Sequence, residues 1–160
     1  TTISRTADSA SKSGISSLIN SSQGVLYVEM SALSDDGTAR SISLSNGSTS
    51  NKVSLIYTST SNQLQAFIRS SGSIAFNVSE ILSDTTNNNK IALKYKENDF
   101  ALWVNGIEVA TGTSGNAPTG LNVLDFDDAD GLSNFYGNVK DLRVYKTILS
   151  DSELQILTTI

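Results

Sequence analysis

The chain has 160 residues, 38% of them hydrophobic, a net charge of −5, and neither cysteine nor histidine. That length suits one domain with its own core, and acidity with scattered basic residues argues against nucleic acid, whose phosphates need clustered Lys and Arg. The two missing residue types exclude disulfides, thiolate or imidazole metal sites and Cys or His catalysis, which leaves carboxylate chemistry as the main enzymatic route.

The opening stretch TTISRTADSASKSG lacks the basic-then-apolar order of a signal peptide. It reads as a boundary inside a longer protein, with covalently linked neighbouring domains. The Ser-rich first 22 residues read as a linker. From there on, short runs with the period of two of a half-buried strand recur between turn residues. GVLYVEMSAL (24–33) sets Leu26, Val28, Met30 and Ala32 against Tyr27, Glu29 and Ser31. RSISLS (40–45) follows the turn SDDGT. NKVSLIYT (51–58) aligns Val53, Leu55 and Tyr57; NQLQAFIRS (62–70) aligns Leu64, Ala66 and Ile68; GSIAFNV (72–78) aligns Ile74, Phe76 and Val78. NKIALKYK (89–96) sets Ile91, Leu93 and Tyr95 against Ala92, Lys94 and Lys96.

In FALWVNGIEV (100–109), Phe100, Leu102 and Val104 share one face and Ala101 and Trp103 the other. Asn105-Gly106 is a hairpin signal, because a type I′ turn needs positive φ at both central positions. Ile107 and Val109 continue the returning strand. TGTSGNAPTG (111–120) is a polar loop, and LNVLDFD (121–127) a strand entering the acidic turn DDADGLSN. In YGNVKDLRVYK (136–146), Val139 alternates out of step with Leu142 and Val144, so a bulge near Asp141 is expected. One helix is expected over 150–159: Ser150 and Glu153 form a capping box, Leu149 and Leu154 a hydrophobic staple, and Leu154, Leu157 and Ile160 dock on the sandwich. About ten hairpin-linked strands at this spacing indicate two packed antiparallel sheets. No apolar run approaches the ~18 residues of a membrane span, so no membrane insertion is expected.

Two segments carry a family likeness. NKIALKYKENDFALWVNGIEVAT resembles the laminin G-like signature through Asn89, Lys90, Ile91, Ala92 and Tyr95, then Leu102, Trp103, Val104, Asn105 and Gly106. FYGNVKDLRVYKTILSDSELQIL resembles the closing segment of the same superfamily through Tyr136, Gly137, Val139, Asp141, Leu142, Arg143, Val144, Tyr145, Leu149, Ser150 and Glu153. The first half, SASKSGISSLINSSQGVLYVEMSALSDDGT, is similar to concanavalin A-like lectin/glucanase domains of phage tail fibre and virion structural proteins. The resemblance implies an all-β jelly-roll sandwich of two antiparallel sheets with one short C-terminal helix. It spans residues 1–160 as a single laminin G-like domain. It also implies a lectin-like module that binds a polysaccharide or cell-surface glycan, often with calcium, in an extracellular or virion setting. Glucanases of the superfamily carry an E-x-D-x-x-E strand motif, which is missing here: Glu29 stands alone on its strand. Fold membership alone does not make an enzyme.

Four places compete for function. Trp103 has two readings: an indole platform for a pyranose ring, with Lys94, Arg69, Tyr27 and Phe67 at comparable outer positions, or a packing residue under a loop or helix. Asp125, Asp127, Asp128 and Asp130 lie close together before Gly131, and with Asp35, Asp36 and Asn134 they are the oxygen donors a noncanonical Ca2+ site needs. The other reading is a solvated acidic turn. Two carboxylates 5–10 Å apart, the requirement of a glycosidase, are not indicated by any motif. Asn87-Asn88-Asn89 reads as a polar turn. The expectation is a non-catalytic carbohydrate-binding module. The alternatives are a structural or protein-interaction domain of a phage fibre, and a glycan-cleaving enzyme.

Overall fold

The computed structural model describes residues 10–160; the opening stretch of the linker, residues 1–9, lies outside the described residues. Eleven strands and one helix follow in order: β1 Ser11–Lys12, β2 Gln23–Ala32, β3 Arg40–Ser45, β4 Lys52–Tyr57, β5 Gln63–Ser70, β6 Ser73–Ile81, β7 Asn89–Lys96, β8 Phe100–Val104, β9 Ile107–Gly112, β10 Val123–Asp125, β11 Gly137–Tyr145 and α1 Asp151–Thr158. They form a six-stranded sheet in the order β1-β10-β3-β4-β5-β6 and a five-stranded sheet in the order β11-β2-β7-β8-β9, all pairs antiparallel. This is the two-sheet jelly-roll sandwich with a short C-terminal helix that the strand pattern indicates. No helix among the described residues is long and apolar enough to cross a membrane.

The period of two decides which side chains meet between the sheets. Leu26, Val28 and Met30 of β2 and Ile91 and Leu93 of β7 face Ile42 and Leu44 of β3, Val53 and Leu55 of β4, and Leu64 and Ile68 of β5, all fully buried in one core. Burying side chains of this size contributes roughly 1.5–3 kcal/mol each. Phe76 of β6 and Phe100 of β8 stack across the two sheets with ring centroids 5.7 Å apart. Tyr57 donates its hydroxyl proton to the Met30 carbonyl at 3.2 Å. Burial pushes the Tyr57 and Tyr95 hydroxyls to higher pKa than a free phenol.

Local expectations meet the structure closely at the turns. Asn105 and Gly106 have φ of 50° and 84°, which reverses the chain between β8 and β9. The register of β11 on β2 slips between Val139 and Asp141, so Lys140 is the extra residue and Leu142 and Val144 return to the core side. Ser150 caps α1 and Glu153 returns the bond, donor and acceptor reciprocally. The carboxylate of Glu153 accepts from the Ser150 backbone N–H, which holds its pKa below the usual carboxylate range.

Four expectations need correction. Ile74 does not share the inner face with Phe76: the register of β5 on β6 slips between Ile68 and Arg69, which sets Ile74 opposite Arg69 on the outer face, 59% exposed. A bulge inverts the phase, and nothing in GSIAFNV marks it. Ile160 is 77% exposed and does not dock, because α1 ends at Thr158 and the chain turns extended at Thr159. The strand expected over 121–127 is only Val123–Asp125, since Phe126 already turns to bond Ala10 and Phe135. The linker reading also misses β1, which adds Ser11–Lys12 to the edge of the six-stranded sheet.

Candidate functional site

Each sheet has an outer face, and the two are built from different residues. On the five-stranded sheet, Val25 and Tyr27 of β2, Ala92 of β7, and Ala101 and Trp103 of β8 form a second apolar cluster. Helix α1 closes it: Leu154 is 0% exposed within the cluster, and Tyr145, Leu149 and Leu157 pack at its border. Trp103 is left 7% exposed, and its indole N–H is buried without a protein acceptor. This is the packing arrangement, not an open platform. Tyr27 lies in the same cluster with Arg143 5.8 Å from its ring centre, and burial raises its pKa. Lys94 is 9% exposed and pairs with Asp99 at 2.7 Å. Three of the four expected sugar-contacting residues, Trp103, Tyr27 and Lys94, therefore share one largely covered face. Arg69 sits on the other sheet.

On the six-stranded sheet the alternation that points Val53, Leu55, Ala66 and Ile68 inward points Lys52, Ser54, Ile56, Gln65, Phe67 and Arg69 outward. The β4–β5 register sets Lys52 opposite Arg69, Ser54 opposite Phe67 and Ile56 opposite Gln65. All of these but Ser54 line an open groove of about 280 Å3, together with Thr49, Asp128 and Asp130. The Phe67 ring lies under two cations, with Lys52 Nζ 5.2 Å and Arg69 Cζ 5.1 Å from its centre. Such contacts contribute about 0.5–1 kcal/mol when exposed and more when desolvated. Gln65 donates its side-chain amide to Asn77 at 2.8 Å, which holds the orientation of its carbonyl.

The acidic turn is the wall of this groove. From β10 the chain folds over the sheet: the Ser43 hydroxyl donates to the Asp127 carbonyl at 2.8 Å, and Lys52 Nζ meets Asp128 at 2.6 Å. Beneath it Ser41, Ser43, Ser45 and Ser54 are fully buried, and the hydroxyls of Ser41 and Ser54 have no protein partner. Small polar residues let the turn approach the sheet closely. Asp127 is buried as well, and desolvation, with the Asp125 charge added, raises its pKa against the pull of the Ala129 N–H.

The six aspartates considered for calcium are each turned to an internal donor. Asp125 accepts from Ser45 at 3.4 Å, Asp127 from the Ala129 N–H at 2.7 Å and Asp130 from the Leu132 N–H at 2.9 Å. Asp128 pairs with Lys52. Asp35 accepts from Ser61 and Asn62, and Asp36 from Ser34, Thr38 and Arg40, whose bonds hold its pKa well below the usual range. Asn134 bonds the Gly131 carbonyl. Among the described residues no three carboxylates come together as a metal-holding group.

Sequence reasoning passed over Lys52, Ile56 and Gln65. The signal is present in the odd-phase residues of two adjacent strand patterns. Once the five residues 58–62 are taken as a hairpin loop, their length sets Lys52 beside Arg69.

Known proteins place this geometry in a context. The family described as the concanavalin A-like lectin/glucanases superfamily, of laminin G type, matches residues 19–155. Among solved structures, the chain is similar to the CBM40 domain of a Ruminococcus gnavus sialidase bound to α2,3-sialyllactose: TM-score 0.72 and 20% identity over 88% of this chain and 84% of that one. It is similar to the NanB sialidase of Streptococcus pneumoniae, with TM-score 0.72, 17% identity, 94% of this chain and 26% of that one. Domain 4 of an extracellular arabinanase from Geobacillus stearothermophilus, in complex with arabinotriose, aligns with TM-score 0.70 at 16% identity over 89% of this chain and 69% of that one. No curated protein sequence matches the chain. At these identities the structures show a shared fold, while the family match covers most of the sequence. The chain belongs to the laminin G branch of the concanavalin A-like lectin/glucanases superfamily.

Proposed function

We propose that this domain is a non-catalytic carbohydrate-binding module whose ligand lies in the groove on the outer face of the six-stranded sheet. The observation that carries the reading is the groove itself. It is open, its floor is a row of cross-strand side chains on a rigid sheet, and it mixes an apolar base (Ile56, Phe67) with oriented polar groups (Gln65, Lys52, Arg69). A sugar needs that mixture: its C–H faces pack on apolar carbon, and its hydroxyls select among fixed donors and acceptors. At about 280 Å3 the groove sits just below the ~300–1,000 Å3 of enclosed ligand sites. It suits one or two sugar units rather than a long enclosed chain. Affinity from so shallow a contact is weak, and attachment to neighbouring domains multiplies it through effective concentration.

The fold-mates support the reading, since two of them are domains solved with sialyllactose and arabinotriose. Catalysis is not part of it. A glycosidase needs one carboxyl kept protonated beside another that is free to act, and in this groove the Asp128 carboxylate is engaged by Lys52. An extracellular or virion-associated placement follows from the ligand, because polysaccharides and surface glycans are met outside the cell. The domains attached in the full-length protein test that placement. Calcium at the aspartates of the acidic turn is a question separate from the groove. Thermal unfolding with and without chelator reads it separately, since an ion held only by the folded chain raises stability by mass action.

The test is a glycan array probed with the domain, followed by titration of the best ligand against Phe67→Ala. The reading predicts binding to at least one glycan and its loss in the variant, with the melting temperature nearly kept. An array without a single ligand overturns it, and release of reducing sugar from any bound polysaccharide overturns its non-catalytic part.

A further inference from the structure

We infer that the groove selects a sugar bearing a carboxylate, and that Arg69 is the residue that receives it. The inference rests on the proposed function and names the ligand class of the same site.

It starts from a local rule that the sheet breaks. Lys52 and Arg69 are direct cross-strand neighbours, and both side chains emerge on the outer face. Like charges in that relation destabilise an antiparallel pair. They also converge on one ring, since both lie within about 5 Å of the Phe67 centre. Sites where a sequence breaks a local rule are where function is expected.

The structure compensates only one of the two charges. Lys52 is 4% exposed and meets Asp128 at 2.6 Å. Asp130, the other acid of the groove wall, accepts from the Leu132 N–H. Among the described residues, Arg69 has no ion-pair partner, and its Nε is buried without an acceptor. The Phe67 ring packs against the guanidinium, and the half-buried side chain still opens to the groove. A guanidinium presents two parallel N–H donors, the fork that a planar carboxylate matches with two bonds. Partial burial strengthens such a pair relative to water.

The surroundings narrow the anion. Among the described residues Arg69 is the groove cation without an ion-pair partner, and the lining also holds Asp128 and Asp130. Singly charged, planar groups suit that field, whereas a doubly charged phosphate or a dense run of sulfates meets repulsion. The groove's volume of about 280 Å3 accommodates the ring that carries the carboxylate, with Gln65 and Thr49 in its lining for the hydroxyls.

The experiment is titration calorimetry of the intact domain with three acidic polymers (polygalacturonate, alginate and a sialylated mucin). Each is compared with its carboxyl-reduced form, and dextran sulfate is run beside them. The expected result is binding to at least one acidic polymer, weakened about tenfold or more when its carboxyls are reduced. Arg69→Gln and the charge-keeping Arg69→Lys should both abolish that difference while neutral contacts persist, and circular dichroism checks that each folds. If Arg69→Gln does not fold, Arg69→Lys and the carboxyl-reduced polymers decide alone. Equal binding to the reduced form, equal binding to dextran sulfate, or full discrimination by both variants overturns the inference. Binding confined to neutral glycans overturns the inference but leaves the module reading standing, and no binding to any glycan removes both.

Discussion

The two outer faces of this sandwich carry aromatic residues at equivalent strand positions, yet they have opposite fates. Trp103 and Tyr27 on the five-stranded sheet are surrounded by Val25, Ala92 and Ala101, small or apolar side chains that offer no reason to stay wet. The chain supplies α1 to cover them, with Leu154 pressed into the cluster. Phe67 on the six-stranded sheet is surrounded by Lys52, Arg69, Gln65 and Ser54, and it stays at the floor of an open groove. The type of aromatic does not decide whether it binds a ligand. Its neighbours decide, because they determine whether another element of the same chain covers it.

The comparison is broken most forcefully at Trp103. Trp103→Ala removes a buried side chain and should cost about 3–5 kcal/mol of stability, a fall of roughly 6–20 °C in melting temperature at this size. Glycan affinity of the folded protein should stay within about twofold. An unchanged melting temperature with lost binding would reverse the roles of the two faces. Phe67→Ala should do the opposite, lowering glycan affinity by about 2 kcal/mol, roughly thirtyfold, as removal of a central contact does. Calorimetric titration beside thermal melting separates the two.

Ser150→Ala should cost about 1 kcal/mol by removing the N-cap of α1, a shift of roughly 2–4 °C. Increased solvent access to Trp103, read by fluorescence quenching, would sharpen the claim that α1 is its cover. The Glu153 side of the cap also sets a pH dependence. Its folded pKa lies below the ordinary value of 4.5, so its contribution is present above that pH and is lost as pH falls through the lower folded value.

The smallest effect is expected at Asp127. Its folded pKa is raised above 3.8, so its contribution favours the fold below that pH and is lost as pH rises through the folded value. Asp127→Asn should therefore leave the fold equal or slightly more stable at pH 7, and flatten the stability profile at acidic pH. A large loss of stability at pH 7 would show that the charge itself holds the acidic turn.

What was legible in the sequence was local. The Asn105-Gly106 turn, the Ser150–Glu153 cap and the phase break before Leu142 each depend on residues a few positions apart, and each stands where the pattern puts it. The inward sets of β2, β4, β5, β7 and β8 were legible as well. Strand partnership was not. Arg69 was grouped with Trp103, Lys94 and Tyr27 because alternation reports which residues share a face, but not which sheet the strand joins. That choice is made by packing across long sequence separations, as when β11 returns to pair with β2. The groove face was missed for a more local reason: Lys52 and Arg69 acquire meaning only as cross-strand partners, which the short loop between β4 and β5 sets.

The most direct test of the division between the two faces is an NMR titration with the tightest-binding glycan from the array. The only tryptophan indole in the chain reports on one face, and the backbone amides of β4 and β5 report on the other. The account predicts shifts at Lys52, Ile56, Gln65, Phe67 and Arg69 that saturate with the ligand, with the Trp103 indole resonance unmoved. A saturating shift of the Trp103 indole, with the amides of β4 and β5 silent, would contradict it.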